Sequence, residues 1–188
     1  MDIGAHPTTR ADAADAARLA RELYGLEASP CPLPSEYDDN FRLDLPDGAA
    51  RVLKVMHPMR EAGFVDLQCA ALAAVAARDP GLPVPRVVPG LDGRPFATTT
   101  LADGAPRLAW MLTHLPGRAV AGVRPVTPAL LGELGQALAR LDLALAGFSH
   151  PAARRELKWD FARAGWIRGR LDAVPDPGRR ALVERALA

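Results

Sequence analysis

A β-hairpin with a lysine inside an apolar strand is predicted by two runs, Asn40-Phe41-Arg42-Leu43-Asp44-Leu45 and Arg51-Val52-Leu53-Lys54-Val55-Met56, joined by a turn at Pro46-Asp47-Gly48. Burying an ammonium group costs free energy unless a negative group meets it. The negatively charged phosphate oxygens of a nucleotide would compensate the charge of the Lys54 ammonium. The alternative is a lysine on the solvent face of an edge strand, the commonest place for a single strand lysine.

A helix is predicted after the hairpin, because His57-Pro58 breaks the strand and apolar residues then recur at helical spacing from Met59 to Ala77. A lysine that binds phosphates is usually held by an acid on the next helix. Asp66 offers the charge for this role, whereas Gln68 shares a helix face with Leu72 and is expected to point toward the sheet. Both candidates stay open, as does the alternative that these side chains only solvate the helix.

A loop is predicted before the hairpin, in the run Ser35-Glu36-Tyr37-Asp38-Asp39-Asn40. Ser35 and the neighbouring backbone N–H groups are candidates to donate hydrogen bonds to a phosphate. The run contains no glycine and is therefore not a Gly-x-Gly-x-x-Gly loop. Its acids would repel phosphates if they pointed inward, so a plain solvated loop is the alternative.

A hinge is predicted where the apolar strand from Arg107 to Leu115 ends in Pro116-Gly117. A strand that ends in this way, between a sheet and a helical region, leaves backbone groups available for the edge of an adenine ring. We interpret His114 as a packed or solvent-facing side chain, because it has no partner pattern typical of an acid–base residue.

Composition excludes several classes of protein. Nearly half of the 188 residues are hydrophobic and the formal net charge is +1, which gives no support for a nucleic-acid binder with a basic stripe. Cys31 and Cys69 have no zinc or C-x-x-C spacing and are expected to be reduced thiols. No apolar stretch reaches the ~18 residues that span a bilayer. We therefore expect a cytoplasmic protein with no membrane or nucleic-acid partner.

The order of elements predicts an α+β fold. Residues 1–117 are expected to form an antiparallel sheet of about five strands with a packed helix, and residues 118–188 to form a hinge and the first helices of an incomplete helical lobe. The predicted helices span Ala11 to Leu23, with Thr9 as the cap and Gly25 at the end, then 59–77, Leu130 to Ala146, 151–170 and 178–188.

Together these stretches resemble the aminoglycoside phosphotransferase family of small-molecule kinases, and most of all its hydroxylysine-kinase-like branch. The resemblance covers nearly the whole chain, and the order and spacing of the stretches carry it. The matching stretches are 33–41, 52–55, 66–68 with 71–72, 83–87, 112–117, 134–135 with 138–141, Lys158-Trp159-Asp160-Phe161 and 176–180.

The resemblance implies a protein-kinase-like N-lobe that binds ATP or GTP with Mg²⁺ and serves phosphoryl transfer to a small-molecule hydroxyl. Amino alcohols, hydroxylated amino acids and aminoglycosides are all open as acceptors. Lys54 would hold the α and β phosphates under a flap around Ser35. The Thr113 carbonyl and the Leu115 N–H would bind the purine. Gln68 or Asp66 would orient Lys54, although the family usually has Glu at that place.

The chain departs from the family's pattern in one large respect. It contains no His-x-Asp-x-x-x-x-Asn segment and no later metal-binding Asp. We therefore expect a fragment that binds a nucleotide but transfers no phosphoryl group by itself, and that self-associates through exposed apolar helices. The alternative is a non-catalytic, kinase-like binding or interaction module.

Overall fold

The computed structural model describes residues 8–155 and 160–187, and its first part is built on one antiparallel sheet. Six strands form the sheet in the order β1-β2-β3-β6-β4, with β5 paired to β6. They span Ser29–Leu33 (β1), Asp39–Asp44 (β2), Ala50–Val55 (β3), Val87–Val88 (β4), Ala97–Thr100 (β5) and Pro106–Thr113 (β6). The predicted antiparallel sheet is confirmed, with one strand more than the five expected.

The predicted hairpin is the pair β2–β3, and its register places Asn40 opposite Lys54. The turn is closed by the Leu45 N–H, which donates to the Ala49 carbonyl at 2.9 Å. Gly48 adopts φ +83°, a conformation that side-chain-bearing residues rarely take. The turn at 46–48 therefore depends on glycine, as the sequence indicates.

Strand β1 is an edge strand of the sheet. It contains Pro30 and Pro32, which have no N–H to donate, and it pairs only with β2 in the sheet order. Prolines are tolerated in edge strands because one side of the strand needs no ladder bonds.

Helix α1 spans Ala13–Tyr24 and packs on one face of the sheet. Its cap is Asp12 and not Thr9, so that prediction is wrong. The Asp12 carboxylate accepts from the Asp15 N–H at 2.8 Å, and the Asp15 side chain accepts in return from the Asp12 N–H. This reciprocal capping box stabilises the start of the helix better than an isolated threonine would. The face beneath α1 buries Phe41, Leu43, Leu53, Val55 and Met111.

Helix α2 spans Ala62–Arg78 and packs on the opposite face of the sheet, where its Val65 and Cys69 contact Met56 and Trp110. Helix α3 spans Pro128–Leu145 and is capped by Thr127. Its C-terminal half packs on α2 in a small cluster of Val75, Leu82 and Ala144. Lys54 alternates with Leu53 and Val55 along β3 and therefore lies on the face that α2 covers.

The chain divides into two compact units, the first ending at Ala152 and the second beginning at Ala153. Helix α3 thus belongs to the same unit as the sheet. The predicted division into lobes at 117/118 stays a prediction.

The second unit contains a 3-10 helix over Phe161–Ala173, which is kinked at Arg163, and helix α4 over Pro177–Ala186. The prediction of one α-helix over 151–170 is wrong, because the described part of that range is 3-10 helix at Pro151–Ala153 and from Phe161 onward. Gly165 and Gly169 lower the α-helical propensity of this segment. Residues 156–159, and with them the matching stretch at Lys158-Trp159, lie outside the described residues, as does Ala188.

Candidate functional site

Lys54 lies in the middle of β3 between two cross-strand neighbours on the same sheet face. Asn40 of β2 is directly opposite on one side and Trp110 of β6 on the other. The Lys54 Nζ atom is 5.6 Å from the centre of the Trp110 ring, whose face attracts cations. β3 is paired on both sides, so the alternative of an edge-strand lysine does not apply.

The Lys54 ammonium has an unusual electrostatic environment. Burial lowers the pKa of Lys54 below its usual range, the Asp38 carboxylate acts to raise that pKa, and the Arg60 guanidinium acts to lower it. Among the described residues, no carboxylate oxygen lies within ion-pair distance of Nζ. Asn40 adds a buried side-chain oxygen that has no hydrogen-bond partner in the described part of the chain. A half-buried cation of this kind suits an anionic ligand.

Asp38 is the functional candidate to which the sequence reasoning gave no role. It directly precedes β2, and its Oδ1 atom accepts from the His57 N–H at 2.9 Å. The Arg60 guanidinium donates to both carboxylate oxygens, at 3.1 and 3.2 Å. The Arg60 group also lies over the rings of Tyr37, at 6.0 Å, and Phe64, at 4.8 Å. Asp38 therefore ties the 34–38 loop to the segment that follows β3.

The predicted flap residue Ser35 is exposed in the loop between β1 and β2. Its hydroxyl donates to the Asp38 carbonyl, which closes a local turn. Arg10 supports the same loop through hydrogen bonds to the carbonyls of Glu36 and Asp38, at 3.5 and 3.3 Å. The Ser35 hydroxyl is thus engaged within its own loop, and its role in a flap over phosphates stays a prediction.

The two predicted partners of Lys54 on α2 have other contacts. The Asp66 carboxylate is 3.0 Å from His150 Nε2, and 55% of its side chain is exposed. The Gln68 amide donates to the Phe64 carbonyl of its own helix at 3.0 Å. In the described part of the chain, neither side chain forms a hydrogen bond or an ion pair with Lys54. Their role in orienting Lys54 stays a prediction.

The predicted hinge follows the end of β6. The Thr113 N–H donates to the Arg86 carbonyl at 2.8 Å, and the Arg86 N–H donates at 2.9 Å to the Thr113 hydroxyl rather than to its carbonyl. Leu115 lies beyond the strand and is 43% exposed. Within the described ranges, its N–H has no hydrogen-bond partner. The contact of the Thr113 carbonyl and the Leu115 N–H with a purine edge stays a prediction.

In residues 8–155 and 160–187, no three His, Cys, Asp or Glu side chains form a cluster that could hold a metal ion. No helix in these ranges is both long and apolar enough to cross a bilayer.

Comparison with known proteins identifies the family. The sequence model of the APH phosphotransferase enzyme family matches residues 29–188. The hydroxylysine kinase of Danio rerio is 32% identical over 142 residues, which cover 72% of this chain and 39% of that protein. The hydroxylysine kinase of Bos taurus is 25% identical over 189 residues, which cover 92% of this chain and 50% of that protein. The chain spans about two fifths to one half of the length of these relatives.

Solved structures share the fold. The microcompartment-associated aminopropanol kinase matches with a TM-score of 0.57 and 24% identity, over 80% of this chain and 46% of that one. The amicoumacin kinase hAmiN, solved with AMP-PNP, Ca²⁺ and Ami, matches with a TM-score of 0.64 and 17% identity, over 94% of this chain and 52% of that one. The predicted kinase-like α+β fold is thereby confirmed. With a family match over most of its length, this chain belongs to the APH phosphotransferase enzyme family.

Proposed function

We propose that the sheet face around Lys54 binds the phosphates of ATP or GTP with Mg²⁺, for transfer of the γ-phosphoryl group to a small-molecule hydroxyl. The observation that carries the proposal is the half-buried Lys54 ammonium, which lies between Asn40 and Trp110 with no carboxylate in ion-pair range among the described residues. The family membership supports the class of reaction.

We give the other site residues the roles that the family resemblance implies. The loop around Ser35 covers the phosphates and supplies N–H donors, and the Thr113 carbonyl and Leu115 N–H bind the purine. Mg²⁺ neutralises phosphate charge and accompanies the nucleotide. We assign no side chain of this chain as its ligand, and none as the catalytic base. The family role of Gln68 or Asp66 toward Lys54 is retained as a competing assignment.

The acceptor we propose is a small molecule that carries both a hydroxyl and an amine. Two of the matching kinases are named for hydroxylysine and aminopropanol. Both compounds carry these two groups. The choice between an amino alcohol and a hydroxylated amino acid is left to a panel of acceptors tested in the complete protein.

A non-catalytic, kinase-like binding or interaction module is the second candidate. Only the first candidate transfers a phosphoryl group. Release of ADP by the complete protein in the presence of a hydroxyl acceptor separates the two. The cytoplasmic location and the expected lack of nucleic-acid and membrane partners stay predictions.

The test of the binding site is a thermal shift with MgATP. A ligand that binds only the folded state raises the melting temperature in proportion to its binding free energy. We expect MgATP to raise the melting temperature of the wild-type chain and Lys54→Met to remove most of that rise. Arg21→Met is the matched control, because Arg21 is an exposed cation on α1, which packs on the opposite face of the sheet. A rise that Lys54→Met leaves intact would show that the phosphates bind elsewhere.

A further inference from the structure

Asn40 and Lys54 form the polar middle of a row of side chains that crosses one face of the sheet. From β1 to β6, the strand registers place four residues directly opposite one another in this row: Leu33, Asn40, Lys54 and Trp110. Side chains of directly opposite residues lie on the same face, with Cβ atoms about 5 Å apart. A small anion that contacts the Lys54 ammonium is therefore within reach of the Asn40 side chain as well.

The Asn40 carboxamide makes no hydrogen bond within the described part of the chain. Its Oδ1 atom is buried, whereas its Nδ2 atom is not, so the two N–H donors are open to solvent. A buried oxygen without a partner destabilises the folded state, and an apolar side chain of the same shape would avoid that cost. Stability alone therefore does not explain an asparagine at this position.

The two acids that directly precede Asn40 in the chain have their charges compensated by arginines. The Asp38 carboxylate accepts from the Arg60 guanidinium at 3.1 and 3.2 Å. The Asp39 carboxylate accepts from the Arg10 guanidinium. Because each carboxylate is paired with a cation, neither presents an uncompensated negative charge that would repel an anion from Asn40.

We propose that Asn40 is a second phosphate-binding residue, whose Nδ2–H groups donate to the phosphate that Lys54 neutralises. This inference rests on the proposed function, in which the Lys54 ammonium receives the phosphates of the nucleotide. The ammonium supplies charge from β3, and the carboxamide supplies a directed hydrogen bond from β2. A hydrogen bond to an anionic oxygen is about twice as strong as one between neutral groups. The two donors together fix the position of the phosphate on this face of the sheet.

The test compares the wild-type chain with Asn40→Leu, because leucine has nearly the shape of asparagine and no polar side-chain atom. Urea denaturation without nucleotide measures the free energy of unfolding, and calorimetric titration measures the dissociation constants of MgATP and of adenosine. We expect Asn40→Leu to be at least as stable as the wild type, since the buried Oδ1 atom is gone. The MgATP dissociation constant should rise about 10- to 100-fold, and the adenosine constant should stay unchanged.

An MgATP dissociation constant of Asn40→Leu near the wild-type value overturns the proposal, and so does equal weakening of MgATP and adenosine. If Asn40→Leu is less stable than the wild type or does not fold, Asn40→Asp decides. It keeps the shape and replaces the donor by an anionic oxygen, so MgATP must bind at least about 10-fold more weakly, and wild-type affinity overturns the proposal. Lys54→Met separates the two claims. MgATP binding that Lys54→Met weakens and both Asn40 variants leave intact overturns the role of Asn40 alone, whereas binding that all of them leave intact overturns the proposed function as well.

Discussion

Lys54 and Trp110 are direct cross-strand neighbours, and the Lys54 Nζ atom lies 5.6 Å from the centre of the Trp110 ring. Trp110 is 2% exposed, and its Nε1–H points at the Met56 sulfur at 3.2 Å. The indole therefore has two roles. It contacts the Lys54 ammonium, and it forms part of the buried cluster that α2 covers.

Trp110→Ala is expected to destabilise the sheet-containing unit strongly. Removing a fully buried tryptophan deletes its transfer free energy and leaves a cavity, which together cost about 3 to 5 kcal/mol. Urea denaturation followed by circular dichroism measures the change. Trp110→Phe keeps an aromatic ring and should lose less. A loss in Trp110→Ala no larger than that of an exposed-site variant would show that Trp110 is not packed as described.

Leu115→Pro is expected to weaken nucleotide binding by removing the backbone N–H that we assign to the purine. One such hydrogen bond contributes about 0.5 to 1.5 kcal/mol net, so the dissociation constant should rise about 2- to 10-fold. Leu115→Ala is the matched control, since it changes the side chain and keeps the N–H. Calorimetric titration with MgATP gives both constants. Equal weakening in the two variants would assign the effect to the side chain.

The fold was readable from the sequence wherever local chemistry decides the structure. The Pro46-Asp47-Gly48 turn, the lysine inside β3 and the end of β6 shortly before Pro116-Gly117 follow from residue types and short spacings. The edge strand β1 was harder to predict. Pro30 and Pro32 interrupt the hydrogen bonding of an interior strand but are tolerated in an edge strand. A local sequence pattern does not show which strand is the edge.

The place of Asp38 could not be predicted in the same way. Its contacts with Arg60 and with the His57 N–H join residues 22 and 19 apart. Such contacts depend on the hairpin register, and the five residues between β2 and β3 permit more than one register. The sequence therefore offered the loop and its acids without indicating which acid meets Arg60.

Asp103 is expected to make the stability of the fold sensitive to acid. The Arg107 guanidinium, with 1% of its side chain exposed, donates to Asp103 at 2.7 and 2.6 Å and holds the pKa of that carboxyl well below its usual range. A depressed pKa in the folded state stabilises the protein above the unfolded-state value of about 3.9, and this stabilisation is lost as the pH falls below it.

The measurement for Asp103 is the melting temperature as a function of pH. Between about pH 5 and pH 2.5, the wild type should lose stability more steeply than Asp103→Asn, which has no proton to gain. Asp142→Asn, at an exposed position on α3, should follow the wild-type curve. Parallel curves for the wild type and Asp103→Asn would contradict the assigned pKa direction.

Self-association is expected through an exposed apolar stripe of α3. Leu131, Leu134 and Leu138 lie on one stripe of the helix and are 56%, 41% and 53% exposed. The same stripe continues into Leu141 and Leu145, which pack against the Val75 cluster. We expect light scattering at tens of micromolar to show species larger than the monomer, and the double variant Leu131→Gln, Leu138→Gln to shift the population toward monomer. A wild-type chain that is monomeric at this concentration would refute the prediction.

The central claim, that nucleotide phosphates meet Lys54, is tested most directly by the ¹³Cε signal of that lysine. Phosphate charge beside the ammonium favours its protonated form, so saturating MgATP should shift the Lys54 signal and raise its pKa. Adenosine, which has no phosphate, should leave the pKa at the nucleotide-free value. A Lys54 pKa that is the same with MgATP, with adenosine and without ligand, under conditions where calorimetry shows that MgATP is bound, would contradict the account.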